Sequence, residues 1–150
     1  MMSSNELQNQ LLPEHPFAAQ VSGPSGCGKT WWVKELLCDP ESPFDTVLNF
    51  YSIWQPVYEQ MPRHTKFIEG LPDAAPEFDP SQNTAFVFDD LMDEVARSKW
   101  ATKLYTAGCH HQNLSVISLQ QRIFTNRESR LQCHYLVLFD FPQDRGAIMP

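Results

Sequence analysis

Apolar and polar residues alternate along this chain in short blocks that never extend into a long amphipathic repeat. Phe17-Ala18-Ala19-Gln20-Val21-Ser22 reads as a short strand after a polar lead-in that ends at His15-Pro16. A helix is predicted from Gly28 to Cys38, with Trp32, Val33, Leu36 and Leu37 on one core-facing side. Pro40 stops it, because the residue before a proline already disfavours helix. Trp31 falls off the apolar face and is open to three readings: the edge of a ligand site, a subunit contact or ordinary partial burial. Thr46 to Tyr51 reads as a second strand, Pro56 as the first position of a short helix and Lys66-Phe67-Ile68 as a brief strand. Leu71 to Asn83 is acidic, rich in proline and predicted to be a solvated loop.

Thr84-Ala85-Phe86-Val87-Phe88 is too short for a buried helix and rich in strand formers. Leu91 to Ala107 is predicted as one helix, with an inner row at Met92, Ala96, Trp100 and Leu104 and Gly108 as terminator. Leu114 to Leu119 and Tyr135 to Phe139 complete the strands. Near-continuous apolar strands separated by helical or loop connections predict an α/β fold with a mainly parallel sheet covered on both faces.

Between the first strand and the first helix lies Gly23-Pro24-Ser25-Gly26-Cys27-Gly28-Lys29-Thr30. This fits G-x-x-x-x-G-K-[ST], the phosphate-binding P-loop, in the strand–loop–helix setting that the motif requires. Its glycines let successive backbone N–H groups point inward at phosphate oxygens, and the helix start adds the positive end of its dipole. Lys29 is expected to reach the β- and γ-phosphates of ATP, and the Thr30 hydroxyl to hold Mg²⁺. The fourth strand ends in Asp89-Asp90, the pattern of a Walker B strand. Asp89 is the candidate for the Mg²⁺ shell, and Asp90 stands where a carboxylate can orient or deprotonate the attacking water. Glu94, a helical turn later, is a weaker substitute, and helix N-capping is the competing explanation for the paired acids.

The 150 residues suit one domain, with residues 1–16 as the lead-in and 17–150 as the nucleotide-binding domain. A formal net charge of −7 argues against a non-specific nucleic-acid coat, although a local basic strip or a ring of subunits can still present one. Arg122, Arg127 and Arg130 form the basic concentration; an arginine finger, a DNA-phosphate contact and a solvated face all fit them. No apolar run reaches membrane-spanning length, and no membrane partner is expected. Four cysteines without a C-x-x-C pair point to free thiols in a reducing, intracellular setting. Cys109-His110-His111 and Cys133-His134 match no common zinc spacing.

With both motifs placed, the chain resembles viral genome-packaging ATPases of the FtsK/HerA superfamily, found in poxviruses, other large DNA viruses and virus-like elements of animal genomes. Besides the P-loop, the pieces that carry the resemblance are Tyr51-Ser52-Ile53-Trp54-Gln55-Pro56, Glu69-Gly70-Leu71-Pro72 and Phe88 to Glu94. They continue through Gly108 to Ile117, then Gln121 and His134 to Phe139. The resemblance implies a P-loop three-layer sandwich with the sensor strand between the Walker A and Walker B strands. The implied sheet order is final strand, P-loop strand, sensor strand, Walker B strand, early strands. It also implies an ATP-driven, ring-forming motor that moves double-stranded DNA into a capsid, with capsid proteins as further partners and a virion or host cell as its setting. Lys29 and Thr30 then contact nucleotide, Asp89 serves the metal, Asp90 is the catalytic acid and Gln121 the sensor. Position 112 is Gln where many relatives carry a basic residue, and Gln120-Gln121-Arg122 departs from the usual strand-tip sequence. Such ATPases usually run on past this chain's last residue, which leaves open a fragment or a reduced version. The P-loop also resembles that of guanylate-type nucleotide kinases, but residues 40–80 hold one arginine, Arg63, where a kinase lid needs several. A non-catalytic ATP-binding scaffold is the other alternative.

Overall fold

The computed structural model describes residues 13–105, 113–121 and 133–139. Its centre is a sheet of β1 (Ala18–Ser22), β2 (Thr46–Tyr51), β3 (Thr65–Glu69), β4 (Thr84–Asp89), β5 (Leu114–Gln120) and β6 (Tyr135–Leu138). The six strands lie in the order β3-β2-β4-β5-β1-β6, and every pairing is parallel. This is the order expected from the resemblance: β5 runs between the P-loop strand β1 and the Asp-ending strand β4.

Alternation along the strands divides the core into two layers of packing. Phe17, Ala19 and Val21 of the β1 region, Ala85 and Val87 of β4, and Ile117 and Leu119 of β5 share one face. Helix α1 (Lys29–Cys38) covers it with Trp32, Val33, Leu36 and Leu37, joined by Tyr58 of a 3-10 turn, Pro56–Gln60. The opposite face carries Leu48, Phe50, Phe86, Phe88, Leu114 and Val116. Two short helices, α2 (Met92–Arg97) and α3 (Lys99–Lys103), supply Val95 and Ala101 to that face. Helix, sheet and helix make the predicted three-layer sandwich.

One expectation fails in detail. The single helix over Leu91–Ala107 is interrupted at Ser98, which adopts extended backbone (φ −96°, ψ 124°). Its hydroxyl accepts the Ala101 N–H at 3.2 Å, so Ser98 caps a new helix instead of continuing the old one. The break changes the buried face: Ala96 is exposed, while Leu91, Met92, Val95, Ala101 and Leu104 are buried. Trp100 packs against Phe50, Phe86 and Phe88 and donates its indole N–H to Pro72 O at 2.9 Å. That bond ties the Leu71–Asn83 segment, which holds no helix or strand, to the second face. Gly108 and the end of the predicted helix lie outside the described residues.

Parallel strands bring all their C-terminal ends to one edge, where α/β sheets bind ligands. The β1–α1 loop, Asp89 at the end of β4 and Gln121 just beyond β5 meet at that edge.

Candidate functional site: a phosphate loop facing a buried acid

Backbone geometry builds the loop first. Gly23 N–H donates to Gln120 O at 3.1 Å, extending the sheet one residue past β1. A Cβ at Gly23 would stand 2.6 Å from Cys27 Sγ and 2.7 Å from Phe139 Cβ, so only glycine fits between loop and β6. Cys27 N–H then closes a turn onto Pro24 O at 3.2 Å. Gly28 caps α1 in the left-handed region (φ 96°), where a side chain is strained. No side chain caps the α1 N-terminus, and its first turn holds no acid. The helix start is therefore left without a side-chain acceptor or an acid of its own, which suits an anion at that end.

Lys29 Nζ rests on carbonyls of its own loop, donating to Gly23 O at 2.6 Å and Pro24 O at 3.2 Å. Lys29 also lines the cleft. Thr30, next on the helix, donates its hydroxyl to Asp89 Oδ2 at 3.0 Å. Strand alternation explains the meeting: Ala85 and Val87 lie on the face that α1 covers, Asp89 follows them in phase, and β1, which leads into α1, lies across β5 from β4.

Two further groups hold the same oxygen. Tyr58 donates its hydroxyl to Asp89 Oδ2 at 2.6 Å, and Gln55 Nε2 donates to it at 3.3 Å. Sequence reasoning gave neither a role. Pro56 does start the expected short helix, here a 3-10 turn over Pro56–Gln60, but nothing in the sequence announced that this turn aims at a buried acid. Asp89 is 4% exposed. Burial pushes its carboxyl up from the usual aspartate value; the Tyr58 and Thr30 hydrogen bonds oppose this, the charge of Asp90 adds to it and that of Lys29 opposes it. Burial, and after it the charge of Asp89, drives the Tyr58 phenol far above its ordinary range, so Tyr58 stays a donor.

Asp90 follows with φ 59°, left-handed backbone that aspartate tolerates better than most residues. Its N–H donates to Leu119 O at 3.0 Å, fixing the strand end, and its exposed carboxylate accepts from Gln121 Nε2 at 3.4 Å. Gln120 takes a different path: it is buried and donates to Ser22 Oγ at 3.1 Å. Of the two glutamines, Gln121 faces the acids.

One cleft of about 310 Å³ opens here, lined by Ser25, Gly26, Gly28, Lys29 and Thr30 of the P-loop, and by Trp31, Gln55, Val57, Asp89, Asp90 and Gln121. The volume lies at the lower end of small-molecule sites. A larger hollow of about 540 Å³, between the Leu71–Ala75 segment and α2–α3, shares no residue with the cleft and holds no phosphate loop. Most of the predicted residues come together: Ser25, Gly26, Gly28, Lys29, Thr30, Asp89, Asp90 and Gln121 line one space, whereas Gly23, Pro24 and Cys27 of the loop are not among its lining residues. Thr30 Oγ1 and the Asp89 carboxylate are the hard oxygen donors that Mg²⁺ prefers, so the residues fit that ion. Among the described residues no group of three or more His, Cys, Asp or Glu side chains could hold a metal by itself. His134 accepts the Ala18 N–H at 2.9 Å, and the Cys133 thiol points to the Ala18 and Tyr135 carbonyls. Arg122, Arg127, Arg130 and Cys109-His110-His111 lie outside the described residues.

No protein-family model matches the chain, and no curated protein matches it. Among solved structures, the X-ray structure of the Legionella pneumophila ATPase DotB is similar at a TM-score of 0.49 and 14% identity. That match covers 97% of this chain and 40% of DotB, so the chain spans less than half the length of that structure.

Proposed function

We propose that this protein binds Mg²⁺-ATP and hydrolyses it to ADP and phosphate. The observation that carries the reading is the 3.0 Å bond from Thr30 to Asp89, which joins the phosphate loop to the strand-end acid across β5. The triphosphate would lie on the loop amides, with Lys29 moving from the Gly23 and Pro24 carbonyls to phosphate oxygens. Thr30 and Asp89 would hold Mg²⁺, which when bound neutralises charge on the phosphates. Asp90 and Gln121 stand together at the open side of the cleft, where they would orient the attacking water. Water oxygen bonds to the γ-phosphorus, the bond to the β-phosphate oxygen breaks, and the water proton passes to Asp90 and then to solvent or product.

We further propose that hydrolysis drives double-stranded DNA translocation by a homo-oligomeric ring, as in viral packaging into a capsid, within a virion or host cell. What supports this finer reading is the sequence resemblance, together with a sheet order that agrees with its expectation. Phosphate release measured with and without double-stranded DNA, alongside mass in solution, tests it. DNA-stimulated release from an oligomer is the expected result. Phosphotransfer to a nucleoside monophosphate would replace it with the kinase reading. ATP binding without turnover, even with DNA and as an oligomer, would leave only a scaffold.

A further inference from the structure

We infer that Trp31 is the platform on which the base of the bound nucleotide stacks, an inference that rests on the nucleotide reading above. Trp31 and Trp32 are neighbours on α1 with opposite fates: Trp32 is 9% exposed in the core, whereas Trp31 is 50% exposed. Trp31 lines the cleft beside Ser25, Gly26 and Thr30. Its ring is held in place, because Lys34 Nζ lies 3.6 Å from the ring centroid and Lys34 is itself paired with Glu35 at 2.5 Å. An immobilised indole keeps a defined π-surface at little entropic cost.

The other cleft residues divide the space by chemistry. Lys29, Thr30, Asp89, Asp90 and Gln121 suit phosphate, metal and water. Trp31 is the one aromatic side chain among the described lining residues, and Val57 the one aliphatic. With the terminal phosphates committed to Lys29 and Thr30–Asp89, the remainder of the nucleotide has one flat apolar partner among the described residues. A purine stacked on an indole is the complementary chemistry. Stacking tolerates different bases, so Trp31 would strengthen binding of nucleotides over bare polyphosphate more than it would separate one purine from another.

The test is calorimetric titration of the full chain and its Trp31→Ala and Trp31→Phe variants with Mg²⁺-ATP and with Mg²⁺-tripolyphosphate. Trp31→Ala should weaken ATP binding roughly 10- to 100-fold and leave tripolyphosphate binding within about two-fold of wild type. Trp31→Phe should retain most of the ATP affinity. Equal weakening of both ligands by Trp31→Ala, or of neither, would overturn the stacking role while leaving the phosphate site standing. A wild-type protein that bound neither ligand would overturn both.

Discussion

Replacing Tyr58 with phenylalanine removes one oxygen and leaves the ring in place. The ring is 2% exposed and packs on Tyr51, Trp54 and Phe67, so packing is preserved. What is lost is chiefly a 2.6 Å bond to Asp89 Oδ2, with the 3.4 Å bond that Gln55 Nε2 donates to the same hydroxyl; the Asp89 oxygen keeps Thr30 at 3.0 Å and Gln55 at 3.3 Å. Hydrogen bonds to charged groups contribute about 1.5–3 kcal/mol. For a domain of this size each kcal/mol moves the melting midpoint by about 2–4 °C, so the metal-free variant should melt about 3–12 °C lower. Groups that orient metal ligands are also worth about 10–100-fold in metal affinity or activity. Melting in EDTA, and a Mg²⁺ titration of phosphate release, read the two effects separately. A Tyr58→Phe protein matching wild type in both melting midpoint and Mg²⁺ half-saturation would refute the claim that Tyr58 holds the metal acid.

Asp89 and Asp90 should separate in opposite ways. The folded carboxyl of Asp89 titrates above its unfolded value, so its ionisation opposes folding, and the penalty grows as pH rises from the unfolded value of 3.8 through the folded one. Asp89→Asn should therefore melt higher than wild type at pH 7.5, with the advantage fading towards pH about 3.8, while Mg²⁺-dependent hydrolysis is lost; a lower midpoint at pH 7.5 contradicts this. Asp90→Asn should keep ATP affinity and lose turnover by about 10²–10⁴-fold, as expected for removal of a general base; turnover within a few-fold of wild type would move the water-activating role elsewhere.

The parts of this account legible in the sequence are those governed by local rules. The loop spacing fixes where glycine, lysine and threonine fall, and alternation along Thr84–Asp89 decides that Asp89 shares a face with Ala85 and Val87. Hence Lys29, Thr30, Asp89 and Asp90 could be named from one dimension, whereas Gln121 was named only through the family resemblance. The helix break at Ser98 was not legible, because a serine both tolerates a helix interior and caps a new one. Here the Trp100–Pro72 bond and the aromatic cluster on Phe50 accompany the capped form. Nor was Tyr58: its role depends on β2 and β4 being neighbours, which brings the turn after β2 over the end of β4. Gln120 and Gln121 were separable only in part, since strand alternation says they face opposite ways but not which way is the cleft.

The central claim is that a triphosphate sits on the β1–α1 loop and is hydrolysed there. Phosphate release from Mg²⁺-ATP by purified wild-type protein and by Lys29→Ala tests it most directly. Loss of a preorganised charge at the reacting phosphate should lower turnover by about 10²–10³-fold. Equal rates from the two proteins would contradict the account.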